Sequence, residues 1–170
     1  MKMIHISIGT KDISVMNNAL KQVRSEGFDV DLRCYDASDL DEDPIKLGDV
    51  LEKIASADMV TLKVHGDTTY FKRFDRLEKT VKDYGICTLL DCTDRDVINT
   101  YRNLFTGSDE DHTLGITLME IGGDENLASL IKLALRIDGT NVLVPEPVNP
   151  PAQGIYRPGL DDIDIRRYID

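Results

Sequence analysis

Three residues that could take part in chemistry, His65, Gly66 and Asp67, directly follow the short, mostly apolar run 59–64. Such a run is typical of a buried strand, and we expect it to form the central strand of a parallel sheet. A histidine at the end of that strand could bind a metal ion or a ligand carboxylate, or transfer a proton, because its ordinary pKa lies near neutrality. The alternative, which we favour, is that its ring ties down the turn or contacts a neighbouring domain. No second His or Cys in the other strand-end loops completes a metal site.

A second turn, formed by Gly9 and Thr10, follows the first predicted strand. In open parallel sheets, ligands bind outside the carboxyl ends of the strands, where the strand order reverses. We therefore predict a ligand-binding crevice between the first and third strands, lined by Gly9, Thr10, His65, Gly66 and Asp67. No catalytic residue and no metal ligand is predicted. The sequence has neither a Gly-x-Gly-x-x-Gly nor a Gly-Lys-Ser/Thr motif, which argues against a built-in nucleotide site.

The acidic stretch 36–43 and the cysteines have simpler explanations than a functional site. The acidic stretch could bind a divalent cation, but it lacks the glycine and the terminal glutamate of a calcium loop, so we predict a solvated loop. Cys92 could be a nucleophile, but Asp91 and Asp94 would raise the pKa of its thiol, so we expect it to be inert. With Cys34 and Cys87 it makes an odd number of cysteines without paired spacing, which predicts neither disulfides nor a zinc site.

Repeated strand and helix patterns position these turns. Strand patterns occur within 3–8, 28–35, 58–64 and 86–90, and the second alternates as an edge strand does. Repeated βα units with right-handed crossovers form a parallel sheet that is covered on both faces. We predict a flavodoxin-like three-layer α/β fold with strand order 2-1-3-4, followed by C-terminal helices and a Pro-rich extended tail.

Helix starts in the first half of the chain are predicted from capping residues. Asp12 or Ser14 should cap the first helix, and Asp43 followed by proline should begin the helix that leads to the third strand. Thr68 or Thr69 should begin a helix whose buried face includes Tyr70, Phe74, Leu77 and Val81. Thr93 and Asp96 have the spacing of a capping box for the next helix.

The last third of the chain changes from helices to a Pro-rich segment. Residues 113–121 fit a helix, although β-branched Ile116 and Thr117 also allow a strand; we predict a helix. A strongly amphipathic helix should span 127–137, with a short strand at 142–144. Four prolines then predict an extended connector over 145–159. We divide the chain into an α/β domain, 1–144, and a segment, 145–170, that contains the connector and the start of the next domain, with a helix predicted over 161–170.

Charge and hydropathy exclude two classes of partner. The chain has 31 acidic and 20 basic residues, a formal net charge of -11. This field repels phosphate backbones and anionic lipid surfaces, so we expect neither a nucleic-acid nor a membrane partner. No apolar run approaches the roughly 20 residues needed to cross a bilayer, and the charged start lacks a signal-peptide core. We expect a soluble, cytoplasmic protein.

Two linked motifs carry a family resemblance. Gly-Gly-Asp-Glu-Asn-Leu at 122–127 begins an aliphatic helix, and Pro-Pro-Ala-Gln-Gly-Ile-Tyr-Arg-Pro follows at 150–158. These segments resemble the start of the family that contains the large subunits of cobaltochelatase (CobN) and of magnesium chelatase. There, a Gly-Gly-x-Glu-Asn-Leu helix precedes a Pro-rich segment ending in Gly-Ile-Tyr-His-Pro, and an earlier strand typically reads Leu-His-Gly-Gly. This chain has Val-His-Gly-Asp at 64–67 and Arg157 in place of the usual histidine, and the resemblance covers its whole length in the same order.

The resemblance implies the amino-terminal region of an ATP-dependent metallochelatase large subunit, a ligase that forms nitrogen–metal bonds. Such subunits bind a tetrapyrrole and insert cobalt into a corrin precursor or magnesium into protoporphyrin, while separate AAA+ ATPase subunits hydrolyse ATP. The implied partners are a tetrapyrrole, the AAA+ subunits and the remainder of the large subunit. Because family members are many times longer, the chelating residues should lie beyond this segment. We expect it to bind no cofactor itself and to be inactive alone.

A free-standing ligand-binding or regulatory α/β module is the alternative. In that case the crevice at His65 would hold a small molecule. An exposed apolar face on the helix 127–137 would favour the fragment, because such a patch marks a missing neighbour. A fully covered helix and a closed, polar-lined crevice would favour the module.

Overall fold

A four-stranded parallel sheet forms the centre of the protein, as predicted. The computed structural model describes residues 1–149, 154–155 and 163–164, apart from the side chains of residues 10 and 11 and of the last two pairs. The sheet has the order β2-β1-β3-β4, so the predicted flavodoxin-like arrangement is confirmed. Its strands are β1 (Lys2–Ser7), β2 (Asp31–Asp36), β3 (Met59–Lys63) and β4 (Cys87–Asp91).

Helices cover both faces of this sheet. One layer contains the first helix and the last two, which pack against one another, and the helices that precede and follow β3 cover the other face. The α-helices are α1 (Thr10–Ser25), α2 (Ala37–Glu42), α3 (Pro44–Ile54), α4 (Phe74–Tyr84), α5 (Arg95–Thr100), α6 (Asp109–Ile121) and α7 (Asp124–Ile137), with 3₁₀ turns at Thr68–Tyr70 and Arg102–Leu104.

Burial distinguishes the inner strands from the edge strand. Every residue of β1 after Lys2, and every residue of β3 before Lys63, is buried. β2 alternates between exposed and half-buried residues in its first half, which confirms the predicted edge position. The inner strands are therefore covered on both faces, as is typical of the centre of a parallel sheet.

The predicted start of α1 is wrong. Neither Asp12 nor Ser14 caps this helix, which begins two residues before Asp12. Gly9 occupies the cap position with φ +102°, a conformation that glycine adopts at little cost, and no side chain caps the helix. At α3 the prediction is confirmed, because the Asp43 carboxylate accepts hydrogen bonds from Ile45 N and Lys46 N and proline follows directly.

The acidic stretch 36–43 is a short helix, which corrects the predicted solvated loop. Asp36 caps α2 by accepting a hydrogen bond from Ser38 N. Ala37 and Leu40 lie three residues apart, so both point from one helical face into the core, and both are fully buried. Two apolar side chains at helical spacing therefore outweigh the surrounding charge.

Two further helix starts differ from the predictions by a few residues. Asp67, rather than Thr68 or Thr69, caps the 3₁₀ turn, and α4 begins only at Phe74. The cap of α5 is Asp94, the residue after Thr93. In both cases an aspartate beside the predicted threonine makes the capping hydrogen bonds, in line with the slightly better capping ability of aspartate.

The predicted C-terminal helices are confirmed as α6 and α7, but the predicted strand at 142–144 does not form. Residues 140–149 have no regular secondary structure. Gly154–Ile155 pairs in antiparallel fashion with Ile163–Asp164, so the helix predicted over 161–170 is wrong at these two positions. The rest of the predicted connector, and most of the Gly-Ile-Tyr-Arg-Pro motif, lies outside the described residues. The domain boundary at 144 stays a prediction.

Within the part of the chain that the structure describes, none of the helices combines the length and the apolar character needed to cross a membrane.

Candidate functional site

The turn at 65–67 is fixed to the neighbouring strand end by hydrogen bonds of the Gly66 backbone. Gly66 N donates to Thr93 Oγ1 at 3.2 Å, and Gly66 O accepts from Thr93 N at 3.0 Å and from Asp94 N at 3.3 Å. On its other side, Asp67 accepts a hydrogen bond from Thr69 N at 2.8 Å. The loops after β3 and β4 are therefore one connected surface at the carboxyl edge of the sheet.

An exposed aromatic ring packs against the Gly66 backbone. Its φ is +85°, and a Cβ at this position would lie 2.4 Å from Cε2 of Tyr70. The Tyr70 ring therefore rests directly on the Gly66 backbone, although 65% of the residue remains exposed. The sequence pattern places Tyr70 on the buried face of a helix, which is wrong because the chain forms a 3₁₀ turn here and α4 starts four residues later.

Two open grooves meet on this surface. The strand-end groove has a volume of about 470 Å³ and is lined by Lys63, Val64, His65, Asp91, Cys92, Thr93, Arg95 and Glu120. The Tyr70 groove has a volume of about 550 Å³ and is lined by Gly66, Asp67, Tyr70, Thr93, Asp94 and Arg95. Both volumes lie in the range typical of small-molecule sites. Thr93 and Arg95 border both grooves, so the two are neighbours at one edge of the sheet.

Lys63 links three elements below the strand-end groove. Its Nζ donates to the carbonyl of Met119 in the last turn of α6 at 2.7 Å and lies 3.7 Å from the Asp12 carboxylate of α1. A cation at the C-terminal end of a helix is also favoured by the helix dipole. Only 19% of the Lys63 side chain is exposed, so this ion pair is shielded from solvent more than a surface pair.

Asp91 is the titratable group at the floor of this groove. The residue is 4% exposed, and burial raises the pKa of its carboxyl to about 6, an effect that the nearby Lys63 charge partly offsets. Arg95 lies at the rim, where its guanidinium pairs with Glu120 at 2.5 Å. The groove therefore combines a buried carboxyl that titrates near neutral pH with an exposed guanidinium.

His5 is a buried histidine that the sequence pattern did not single out. Its Nδ1 lies 2.9 Å from Thr61 Oγ1 on the adjacent strand, and its Nε2 has no hydrogen-bond partner among the described residues. Burial lowers the pKa of the imidazole to about 4, so the ring is neutral at physiological pH. The sequence pattern missed it because polar and apolar residues alternate in β1, and such alternation predicts that the polar side chains face solvent.

The predicted site residues are only partly brought together. His65, Gly66 and Asp67 line the two grooves, whereas Gly9 borders neither. Gly9 instead joins the ends of β1 and β2, because its N–H donates to Asp36 Oδ2 at 3.2 Å. Thr10 opens α1, and its side chain is outside the described part. The grooves therefore lie at the ends of β3 and β4, one strand away from the predicted position between β1 and β3.

His65 and Cys92 differ in exposure. His65 is exposed and makes no side-chain hydrogen bond to the described residues, so it is free to meet a ligand or another protein surface. Cys92 is 5% exposed, and burial together with Asp91 and Asp94 raises the pKa of its thiol, as expected for an unreactive cysteine. Among the side chains that the structure describes, no three His, Cys, Asp or Glu residues are grouped so that they could hold a metal ion.

The Gly-Gly-Asp-Glu-Asn-Leu motif has a clear structural role. Gly122 and Gly123 have φ of +68° and +83° and form the tight turn between α6 and α7. Asn126, which is 4% exposed, donates to Gly122 O at 2.8 Å and to Val148 O at 2.9 Å. Its Oδ1 accepts from Val148 N at 2.8 Å. The motif therefore joins the helix turn to the Pro-rich segment that follows.

Comparisons with known proteins give a likeness in fold. No family profile and no curated protein sequence matches the chain. Its structure is similar to the catalytic subunit of cobaltochelatase from Mycobacterium tuberculosis, with a TM-score of 0.62 and 19% sequence identity. The match covers 92% of this chain and 12% of that subunit, so the chain spans a small part of its length. The protein thus has the fold of a segment of the cobaltochelatase catalytic subunit, in agreement with the resemblance seen in its motifs.

Proposed function

We propose that this chain is the amino-terminal α/β domain of an ATP-dependent metallochelatase large subunit. The observation that carries the proposal is the likeness in fold to a cobaltochelatase catalytic subunit over 92% of the chain. The two linked motifs support it, because the first of them anchors the segment that leads to the second. The parent enzyme would insert cobalt into a corrin precursor or magnesium into protoporphyrin, with ATP hydrolysed by separate AAA+ subunits.

Within such a subunit, the domain would help to form the tetrapyrrole cleft or dock partner subunits. The strand-end groove supports the first role, because it is open and presents His65 and Arg95 on its lining. The residues that perform chelation would lie in the remainder of the large subunit. The domain alone is therefore expected to bind the macrocycle without inserting metal.

Titration of the chain with tetrapyrroles tests this proposal. Hydrogenobyrinic acid diamide and protoporphyrin IX would each be added to the protein while absorbance and tyrosine fluorescence are recorded; the chain has six tyrosines and no tryptophan. We expect saturable binding that is weakened by His65→Ala. Asn18→Ala is the matched control, because Asn18 is exposed on α1 and borders neither groove. The macrocycle that binds more tightly would indicate the natural substrate class.

If neither macrocycle binds, a direct role in tetrapyrrole recognition is contradicted. Equal weakening by His65→Ala and Asn18→Ala would show that the substitution acts through general stability rather than through the groove. In the first case the domain would be retained only as a docking surface, and binding of the AAA+ subunits would be the next measurement.

A free-standing ligand-binding module is the second candidate. Burial of α7 favours the module. All residues from Asn126 to Leu135 are buried, so this helix presents no apolar patch to a missing neighbour. The grooves, in contrast, are open rather than closed. A module predicts saturable binding of a small metabolite and no affinity for either tetrapyrrole or for the AAA+ subunits. Tetrapyrrole binding in the titration above would therefore exclude the module, and binding of the AAA+ subunits separates the two candidates if neither tetrapyrrole binds.

A further inference from the structure

A third groove lies on the outer side of α6, apart from the strand ends. It has a volume of about 520 Å³, and its walls are residues 109–117 of α6 and Glu146–Pro147 of the segment that follows α7. It shares no lining residue with the two grooves at the ends of β3 and β4. We call it the α6 groove.

The charged side chains that line the α6 groove are all acidic. They are Asp109, Glu110 and Glu146, and no Lys or Arg is among the lining residues. Asp109 pairs with Arg102 at 2.5 Å. Glu110 and Glu146 are exposed, and neither forms an ion pair with the residues that the structure describes. Two carboxylates on opposite walls can therefore accept hydrogen bonds from a cationic partner.

The rest of the lining is apolar or already hydrogen-bonded. The hydroxyls of Thr113 and Thr117 donate to backbone carbonyls one helical turn earlier, at 2.9 and 2.8 Å. Leu114 and Pro147 are half-buried and supply aliphatic surface on the two walls. The side chains of the α6 groove therefore offer acceptors and apolar surface, but no free donor. Lys and Arg side chains complement such a lining, because they combine donors with aliphatic stems.

The wall formed by Glu146–Pro147 is held in place. The next residue, Val148, is bound to the buried Asn126 amide by two hydrogen bonds. Pro145 and Pro147 have no N–H group, so this wall cannot pair with an added strand over these residues. It is therefore suited to docking through side chains, and a preformed wall reduces the entropy that is lost on binding.

We propose that the α6 groove docks a helical segment of a partner protein that carries Lys or Arg on both sides of an aliphatic residue. The aliphatic side chain packs between Leu114 and Pro147, and the cations pair with Glu110 and Glu146. The net charge of -11 attracts such a segment from a distance. The inference goes beyond the proposed function, because it involves neither a tetrapyrrole nor the strand-end grooves.

A labelled basic peptide tests the charges of the groove. The probe is a synthetic peptide of Lys-Leu-Ala-Lys repeats with fluorescein at its N-terminus, and fluorescence anisotropy at about 0.15 M salt measures its affinity. We expect saturable binding that the double variant Glu110→Gln with Glu146→Gln weakens about fivefold. Asp49→Asn with Glu52→Gln is the matched control, because it removes two charges from exposed positions of α3. It should change the affinity less than about twofold, since salt screens distant charges.

A second pair of variants tests the apolar contact. Leu114→Ala should weaken peptide binding about threefold, through the smaller apolar area that is buried. Ile45→Ala is the control, because Ile45 is an aliphatic residue on α3 that is 80% exposed, and it should match the wild type. A peptide with Ala in place of each Leu should bind more weakly than the probe. Amide shifts on addition of the probe should concentrate in residues 109–117 and 146–148.

Three results would overturn the proposal. The first is absence of binding, and the second is equal weakening by the two double variants, which would reduce the attraction to net charge alone. The third is self-association of the chain in sedimentation that Leu114→Ala abolishes, because a second copy would then be the occupant. Circular dichroism of each variant verifies that the fold is retained. Tetrapyrrole titration gives the same result in these variants as in the wild type, so either proposal can fail without the other.

Discussion

The side-chain amide of Asn126 pairs with the backbone of Val148 in both directions. Nδ2 donates to Val148 O at 2.9 Å and Oδ1 accepts from Val148 N at 2.8 Å, as a neighbouring strand would do. A third bond, from Nδ2 to Gly122 O, fixes the amide against the start of α7. This one buried side chain therefore ties the Pro-rich segment to the helical layer.

Asn126→Ala removes all three hydrogen bonds and leaves one backbone donor, Val148 N, and two backbone acceptors, Val148 O and Gly122 O, without the Asn126 amide as a partner. We expect the free energy of unfolding to fall by about 2–4 kcal/mol, because each lost partner costs about 1–3 kcal/mol and the effects overlap. Urea unfolding measures this. Asn103→Ala, at an exposed position, is the control and should change stability by less than about 0.5 kcal/mol. Amide exchange at Val148 should accelerate in Asn126→Ala only, and slow exchange there would contradict the role of the amide.

Gly66→Ala should both destabilise the turn and displace Tyr70. The positive φ of +85° is unfavourable for alanine by about 1–2 kcal/mol, and the new methyl group would push the tyrosine ring away. Gly48→Ala is the opposite case, because Gly48 is inside α3 and its added Cβ would contact nothing within 4 Å. That variant should be more stable by about 0.5–1 kcal/mol. Equal effects of the two substitutions in urea unfolding would refute the strained-turn explanation.

Lys63→Met should loosen the junction of α1, β3 and α6. The substitution leaves the Met119 carbonyl without its donor and Asp12 without its cation, so we expect a loss of about 2 kcal/mol in the free energy of unfolding. The pKa of Asp91 should rise further, because the Lys63 charge lowers it. Carboxyl-carbon NMR follows that titration. Lys72→Met, at an exposed position, serves as the control, and an unchanged Asp91 pKa in Lys63→Met would contradict the proposed electrostatics.

Two buried groups should have opposite effects on stability as the pH falls. His5 has a pKa of about 4 in the folded protein against an ordinary 6.5, so the unfolded chain takes up its proton first. Its contribution to stability is complete above pH 6.5 and declines toward pH 4, by up to about 3 kcal/mol. Asp91 has a folded pKa of about 6 against an ordinary 3.8, so the folded protein takes up that proton first and gains up to about 3 kcal/mol between pH 6 and pH 4.

Asp91→Asn removes one of these two opposing effects. Relative to the wild type, we expect the variant to lose up to about 3 kcal/mol of unfolding free energy when the pH falls from 7 to 4. Other titrating carboxyl groups are common to both proteins, so the difference between them isolates Asp91. Urea unfolding at several pH values gives this difference. A difference that stays constant with pH would show that Asp91 has an ordinary pKa in the folded protein.

The strand order was predictable because it depends on a pattern that repeats along the whole chain. Apolar runs separated by amphipathic helices give parallel strands, and right-handed crossovers leave few possible strand orders. The helix caps were less predictable. Asp67 and Asp94 cap where a neighbouring threonine was expected, and a shift of one residue depends on backbone geometry that the sequence pattern does not contain.

The predicted crevice between β1 and β3 stays a prediction, and the two grooves lie at the same edge of the sheet, at the ends of β3 and β4. Lys63 and Asp91 are polar residues at the ends of apolar strands, and alternation alone does not show whether such residues face solvent or the core. Tyr70 has helical spacing to Phe74, and only the intervening 3₁₀ turn exposes its ring. A rule that marks polar residues at the carboxyl ends of predicted strands would have found both Lys63 and Asp91.

The most direct test of the central claim is to locate tetrapyrrole binding on the chain by NMR. Backbone amide shifts would be recorded as metal-free protoporphyrin IX or hydrogenobyrinic acid diamide is added. We predict saturable shifts that concentrate in residues 64–70 and 91–95, the two loops that line the grooves. Saturable shifts confined to α1 or α3, or no shifts with either macrocycle, would contradict a tetrapyrrole site at this edge of the sheet.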